Sequence, residues 1–353
     1  MSQVIVDVGP AGIDAYEIPG RTGTQPNADA VGNGEGAWGP WVRTHHPAAL
    51  DGATLGYSGQ LTPKAIEPAA LAAVEAAFGS GPGQIVPAAV TEMVVSGPPA
   101  VAVNTADLLS LLERMVGVGP KVVSSAERAA RVATGVSVRT VRSDHGRQVE
   151  GQGQVEGQGQ AGGQGQAGGG VDVVHLDLGV GATSFSVFTD QGRKATTVPV
   201  SPGLLGAAYL ENDRPHASEL SAALSVMELY LDDVQRELPE LGALVAREET
   251  LVVVTGEAEV IAAVEIGLAD FTLDGPVDPR IDGYRLHHEA VEEVFRAVAT
   301  EPSADRAFNP GLPPSRVTTI VPACIVLVET MRQLEIGSVA VSQASIADSV
   351  AQR

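Results

Sequence analysis

Short apolar runs alternate with longer segments of helical spacing along most of the chain. Runs rich in β-branched and aliphatic residues predict strands at Gln3–Val8, Ile13–Ile18, Ile85–Ser96, Lys121–Val123, Val171–Leu178, Thr183–Thr189, Leu251–Val254 and Ser338–Ser342. Apolar residues recurring every three or four positions predict helices at Leu61–Phe78, Ala106–Met115, Ser125–Thr134, Ala217–Glu237, Glu257–Ile266, His287–Ala299 and Val317–Leu334. Because strands and helices alternate in both halves, the pattern predicts two similar α/β lobes that face a cleft.

A low-complexity segment separates the two halves. Residues 149–170 read VEGQGQVEGQGQAGGQGQAGGG, with two valines as the only sizeable apolar side chains. Such a composition cannot bury a core and is typical of a flexible tether. The predicted organisation is therefore a first lobe over residues 1–142, a Gln/Gly-rich insert over residues 143–170 and a second lobe over residues 171–353.

Charge and composition narrow the classes of partner. The 353 residues include 43 acidic and 22 basic side chains, so the formal charge of −21 disfavours binding to nucleic acid. The segment between Leu112 and Arg147 is an exception, because its seven basic and three acidic residues give it a net positive charge. No run approaches the roughly 20 apolar residues of a membrane span, and the single cysteine, Cys324, rules out an intrachain disulfide. We expect a cytoplasmic protein without a membrane or nucleic-acid partner, and a homodimer is kept as the candidate oligomer.

Each half opens with an aspartate and a glycine at a turn between paired strands. Such a glycine lets backbone N–H groups approach a phosphate, while the aspartate can hold a metal ion or its water. The first turn is Asp7-Val8-Gly9 and the second runs from Asp177 to Thr183. The metal candidates are Asp7 and Asp177, and the phosphate-binding candidates are Gly9, Gly179, Gly181, Thr183, Thr255 and Gly256. One such turn alone is weak evidence, because a hairpin glycine more often supplies only a positive φ.

Further motifs make the chain resemble the exopolyphosphatase and guanosine pentaphosphate phosphatase (Ppx/GppA) family. The motifs are Asn104–Leu109, Val122–Ser124 continuing to Gly135-Val136, Pro310-Gly311-Leu312 followed by Arg316, and a strand that ends at Ser342. The resemblance runs from Val4 to Val350, apart from the Gln/Gly-rich insert and the loop Arg21–Asp51. It implies actin-like (ribonuclease H-like) lobes around a phosphate-binding cleft. It also implies hydrolysis of a terminal phosphoanhydride, with a glutamate activating water and Mg²⁺ shielding the phosphates.

The sequence departs from the family pattern at positions that bear on this chemistry. The first turn continues as Pro10-Ala11-Gly12 where the family has Ser-Asn-Ser, and the second has Val180 and Ala182 in place of Gly and Ser. A phosphate-clamping arginine of the family falls on Ala100. The glutamate that the family uses as base falls on Arg128, which instead suits phosphate binding. The neighbouring Glu127 is the candidate base, but it lies about 100° around the helix and fits a capping box with Ser124.

Three functions are consistent with these observations. The first is a Ppx/GppA-like protein that binds a small phosphate anion, with Arg128 contributing, and has weak or absent phosphoanhydride hydrolysis. The second is an active phosphohydrolase in which Glu127 is the base and Asp7 and Asp177 organise Mg²⁺. The third is a non-catalytic module that docks a protein partner.

Overall fold

The computed structural model describes residues 3–9, 12–18, 42–46, 90–95, 105–136, 172–179, 181–274, 276–345 and 348. The predicted helix Leu61–Phe78, the Gln/Gly-rich insert and both proposed lobe boundaries lie outside these residues. So do Pro10, Ala11, Ala100 and Val180.

The first sheet has five strands in the described residues, in the order β3-β2-β1-β4-β5. They are β1 (Gln3–Gly9), β2 (Gly12–Ile18), β3 (Val42–His46), β4 (Val90–Val95) and β5 (Lys121–Val122). Strand β1 pairs antiparallel with β2 and parallel with β4, so it lies at the centre. Its residues from Val4 to Val8 are all buried, as expected for an apolar central strand.

Two helices of the first half follow the strands β4 and β5. Helix α1 (Thr105–Val116) buries Leu108, Leu112 and Val116 at i, i+4 and i+8, which is the apolar stripe of an amphipathic helix. It ends at Gly117, whose φ of 79° is left-handed and whose N–H donates to the carbonyl of Glu113 at 2.8 Å. Helix α2 covers residues 125–136.

The second sheet has six strands in the described residues, in the order β10-β11-β9-β6-β7-β8. They are β6 (Val173–Leu178), β7 (Thr183–Thr189), β8 (Gly192–Val198), β9 (Leu251–Gly256), β10 (Arg285–His287) and β11 (Ser338–Val341). Strand β6 repeats the position of β1, because it pairs antiparallel with β7 and parallel with β9. The two halves therefore share one plan, a central strand with a returning hairpin partner and a parallel neighbour.

The second half carries most of the described helices. They are α3 (Pro202–Tyr209), α4 (Ala217–Glu237), α5 (Leu241–Val245), α6 (Ala258–Ile266), α7 (His288–Thr300), α8 (Ser303–Arg306) and α9 (Ile320–Gln333). Helix α9 is buried from Ile320 to Met331, so it lies in the core of this half rather than on its surface. None of the helices in the described part of the chain is long and apolar enough to cross a membrane.

Most predicted elements that fall in the described residues are confirmed, with ends that differ by a few residues. Helix α4 and strand β7 have the predicted bounds. Strands β3 and β8 were not predicted, because their side chains are mostly polar or charged, VRTHH and GRKATTV, and give no apolar run. Strand β3 matters for the site, because it carries Arg43.

Candidate functional site

The two turn aspartates stand at equivalent places, near the ends of the central strands β1 and β6. Asp7 pairs across the sheet with Asp14 on β2 and Val94 on β4. Asp177 pairs with Ser184 on β7 and Thr255 on β9. Both carboxylates are buried, at 2% and 4% exposure, so each requires a cation or a hydrogen-bond donor.

Arg128 supplies that cation from helix α2. The helix starts with the Ser124 hydroxyl accepting the Glu127 N–H at 3.1 Å, one half of the predicted capping box. The Arg128 guanidinium then donates from Nε and Nη2 to Oδ2 of Asp7, at 3.0 and 2.9 Å. Its Nη1 lies 3.7 Å from Oδ2 of Asp177. The arginine therefore stands between the two predicted metal ligands.

The charge state of this cluster follows from its burial. Burial by itself lowers the pKa of Arg128, but the nearby carboxylates of Asp7 and Asp177 outweigh it and raise the pKa, so the guanidinium stays protonated. Burial raises the pKa of Asp7, and the Arg128 charge offsets part of that rise. The two turns thus share one positive charge, the guanidinium of Arg128.

Glu127, the predicted base, faces away from this cluster. Its Oε1 accepts a hydrogen bond from Nη2 of Arg131 at 3.2 Å, one helical turn further on, and its side chain is 53% exposed. It is not among the residues that line the cleft cavity described below. Among the described residues, the structure therefore brings Arg128, and not Glu127, to the two turns.

The second turn is organised by a buried hydrogen-bond chain. The Thr255 hydroxyl donates to Oδ1 of Asp177 at 3.0 Å, and Nε2 of His175 lies 2.9 Å from the same hydroxyl oxygen. Because the hydroxyl proton goes to Asp177, His175 must donate from Nε2 to Thr255. Burial lowers the pKa of His175 to about 4, so the ring is neutral at physiological pH.

The candidate phosphate-binding glycines have a clear structural role. Gly256 has a φ of 78°, and a Cβ there would lie 2.4 Å from the carbonyl oxygen of Leu178. A Cβ on Gly179 would lie 2.9 Å from the carbonyl oxygen of Ala182. Both glycines are thus required for the close packing of these turns. The hydroxyl of Thr183 donates to the Val200 carbonyl at 2.8 Å, so its proton is already used.

The remaining candidates, Gly9 and Gly181, fall at the ends of the turns. Gly9 is the last residue of β1 and pairs with Gly12. Gly181 is part-buried next to the start of β7. The phosphate-binding role of both residues stays a prediction.

A cavity of about 60 Å³ lies between the two halves, beside the second turn. That volume holds a few water molecules. The ionisable side chains of its lining, apart from Tyr16, are four carboxylates and three arginines: Asp14, Asp177, Glu257, Glu259, Arg43, Arg128 and Arg316. Each of the three arginines contacts a carboxylate, and the lining holds one carboxylate more than it has arginines, so each positive charge of the lining is already compensated.

Arg316 is the most buried of the three arginines, at 6% exposure. Its Nε lies 3.0 Å from Oε1 of Glu257. Its Nη1 has no hydrogen-bond acceptor within the described part of the chain, although it is buried. A buried donor without an acceptor costs about 1 to 3 kcal/mol, so this N–H group would gain from an acceptor placed in the cavity.

Comparison with known proteins gives a match in structure only. No protein-family model matches the sequence, and no curated protein matches it. The crystal structure of an exopolyphosphatase-like protein matches 100% of this chain and 98% of its own, with a TM-score of 0.73 at 17% identity. A Ppx/GppA enzyme from Aquifex aeolicus matches over 100% and 99%, with a TM-score of 0.64 at 16% identity. The chain has the Ppx/GppA fold.

A third structure with this fold is an exopolyphosphatase from Cytophaga hutchinsonii, with a TM-score of 0.68 at 14% identity over 99% of this chain and 96% of its own. The prediction of an actin-like α/β fold of the Ppx/GppA type is thereby confirmed. At these identities the likeness establishes the fold and leaves activity to be argued from the site.

Cleft residues that were not among the predicted site residues include Arg316, Arg43, Glu259 and Gln343, and the same holds for His175 in the hydrogen-bond chain of the second turn. Arg316 belongs to the Pro310-Gly311-Leu312 motif, and the placement of an arginine there was a signal that could have identified it. His175 lies within the predicted strand of the second turn, where a polar residue flanked by apolar ones indicates a buried hydrogen-bond partner. Arg43 gave no signal, because it lies in the loop Arg21–Asp51 that the resemblance left out.

Proposed function

We propose that this protein is a Ppx/GppA-like protein that binds one small phosphate-type anion in its cleft and does not hydrolyse phosphoanhydrides. The observation that carries the proposal is the position of Arg128, in contact with Asp7 and within 3.7 Å of Asp177. A guanidinium there blocks the chemistry of the family while leaving a cation in the cleft.

The proposed absence of hydrolysis follows from the lack of a general base at position 128. A protonated arginine cannot accept a proton from water, and base catalysis is worth about 10² to 10⁴ in rate. The glutamates in the cavity lining do not replace it, because Glu257 contacts Arg316 and Glu259 forms a bidentate pair with Arg43. Glu127 is engaged with Arg131 on the outer side of α2.

A Mg²⁺ ion does not fit the residues present at the two turns. Its carboxylate ligands would be Asp7 and Asp177, but Arg128 already occupies Oδ2 of Asp7 and lies close to Oδ2 of Asp177. A divalent cation would have to displace a guanidinium that both carboxylates stabilise, because like charges repel at this distance. The proposed function therefore uses no metal ion.

Binding of an anion is supported by Arg316 and by the size of the cavity. The buried Nη1 of Arg316 offers a donor, and the exposed edge of Arg128 offers further N–H groups, since its side chain is 20% exposed. The cavity of about 60 Å³ is of the size of a single phosphate group. Pyrophosphate, a short ion that can place one of its two phosphate groups in the cavity, is the probe of choice.

The experiment is a calorimetric titration of the full chain with pyrophosphate in the absence of divalent metal. We expect the wild type to bind pyrophosphate and Arg316→Ala to bind it about 10- to 150-fold more weakly. This factor corresponds to the usual contribution of one hydrogen bond to a charged group. Arg114→Ala is the matched control, because Arg114 is exposed on α1 and does not line the cavity. Equal affinities for the wild type and Arg316→Ala would show that the anion does not bind at Arg316 in this cavity. No binding to the wild type at millimolar pyrophosphate would refute anion binding and favour a docking module.

A further inference from the structure

Arg43 joins the two halves of the molecule across the cleft. From β3 in the first sheet it donates through Nη1 and Nη2 to the two carboxylate oxygens of Glu259 on α6, at 2.9 and 3.1 Å. Its Nε donates to the carbonyl oxygen of Leu273 at 2.5 Å. All three nitrogen groups of the guanidinium therefore bind acceptors in the second half of the chain, more than 200 residues away.

The C-terminal part of the chain completes this cluster. Gln343 follows β11, and its Nε2 donates to Oε2 of Glu259 at 2.7 Å while its Oε1 accepts the Asp278 N–H at 2.6 Å. Glu259 and Gln343 are 7% and 8% exposed, so these bonds form in a low-dielectric environment where salt screens them little. The contact is thus a buried ion pair with its hydrogen bonds satisfied, which is costly to break from one side.

The cluster also forms a wall of the anion cavity. Arg43, Glu259, Leu273 and Gln343 all belong to its lining. In the described residues, a cluster of nine buried residues contains side chains of both sheets. Separation of Arg43 from Glu259 would uncover the wall of the cavity that these two residues form.

We propose that Arg43, Glu259 and Gln343 form a latch that holds the cleft closed, and that opening of this latch is the step that admits an anion to the cavity. The inference rests on the proposed function only for the identity of the anion. The closed state is the one described above, and the open state is a minor population of the free protein.

The latch can be tested without any ligand by measuring the distance between the two halves. Ser110 on α1 and Ser225 on α4 are exposed, so Ser110→Cys and Ser225→Cys can carry spin labels on opposite halves. The native Cys324 is buried and its pKa is raised by burial, which keeps it out of the labelling reaction. Pulsed electron resonance then gives the distribution of label distances.

We expect one main distance in the otherwise wild-type protein and a second, longer population in Glu259→Gln. Because an open state normally holds about 0.1 to 10% of the molecules, the variant should raise it well above the roughly 10% upper bound. Glu249→Gln is the matched control, since Glu249 is exposed and its substitution removes the same charge away from the cleft. The association rate constant for pyrophosphate should rise about tenfold in Glu259→Gln and stay unchanged in Glu249→Gln.

Arg43→Lys provides a second variant should Glu259→Gln fail to fold. Lysine keeps the charge but loses the bidentate fork and the bond to Leu273, so the longer population should again appear, at a lower level. An unchanged distance distribution in a folded Arg43→Lys or Glu259→Gln protein overturns the latch. A longer distance in these variants without any pyrophosphate binding supports the latch and refutes the proposed anion instead.

Discussion

Asp7 and Asp177 occupy matching places in two halves built on one plan, yet their surroundings differ. Beside Asp177 stands Thr255, whose hydroxyl donates to Oδ1. The matching neighbour of Asp7 is Val94, which is fully buried and has no donor, and across the hairpin stands another acid, Asp14. Oδ1 of Asp7 accordingly has no hydrogen-bond donor within the part of the chain that the structure describes.

The difference explains why an arginine is needed at position 128. A buried carboxylate that accepts a hydrogen bond from a hydroxyl can stay ionised with its cation further away, as Asp177 does at 3.7 Å from Arg128. A carboxylate without such a donor needs close charge compensation, and Asp7 receives two contacts from the same guanidinium. Arg128 therefore compensates the charge of Asp7 in the first half. Under the proposed function, the same contacts oppose hydrolysis in the cleft.

Removal of Arg128 should produce the largest loss of stability. Arg128→Leu leaves the carboxylates of Asp7 and Asp177 buried without their cation, so the free energy of unfolding should fall by about 3 to 5 kcal/mol. Urea unfolding measures this, with Arg131→Leu as the control, because the partly exposed pairs of Arg131 are worth about 1 kcal/mol or less. Adding Asp7→Asn should recover part of the loss. Similar costs for both arginine variants would show that the comparison between the two turns is wrong.

The pH dependence of stability should separate the second turn from the first. His175 has a pKa of about 4 in the folded protein against 6.5 for an ordinary histidine, so the unfolded chain binds the extra proton between these values. Stability from this residue is complete above pH 6.5 and is lost as the pH falls toward 4, by about 3 kcal/mol in total.

His175→Gln keeps a donor for Thr255 but cannot titrate. As the pH falls from 6.5 to 4, the free energy of unfolding of this variant should therefore decrease by about 3 kcal/mol less than that of the wild type. Urea unfolding at a series of pH values gives the difference. His287→Gln is the control, because His287 is exposed. Parallel pH profiles for the wild type and His175→Gln would mean that His175 is not held neutral.

A smaller effect is expected when the second turn is made to resemble the first. Thr255→Val puts a valine where β4 has Val94 and removes the donor to Asp177, so the free energy of unfolding should fall by about 1.5 to 3 kcal/mol. Thr183→Val removes a bond to a neutral carbonyl and should cost about 1 kcal/mol. Equal costs in thermal or urea unfolding would show that the Asp177 charge does not strengthen the Thr255 bond.

The fold was largely predictable because local patterns specify it. The apolar run from Val4 to Val8 and the helical spacing of Ala217–Glu237 are local signals, and both elements form where they were predicted. The two Asp-containing turns also stand at equivalent places in the two sheets, as their repetition along the chain indicated.

The site was predictable only in part, because its contacts join residues that are distant in sequence. Arg128 meets Asp7 across 121 positions and Arg43 meets Glu259 across 216, and no local pattern reports such a pair. The motifs place Arg128 at the catalytic position of the family that the sequence resembles. They do not show that the guanidinium binds the two candidate metal ligands, since that depends on the direction in which α2 presents the side chain.

The most direct measurement for the central claim is release of phosphate from polyphosphate and from guanosine pentaphosphate, with and without Mg²⁺. We expect the wild type to match the rate of the protein-free control under both conditions, because Arg128 cannot act as a base and holds Asp7. Arg128→Glu should restore part of the activity at most, since Pro10 and Ala182 still replace phosphate-binding residues of the family pattern. Mg²⁺-dependent turnover by the wild type that is lost in Glu127→Gln would contradict the account and establish the protein as a hydrolase.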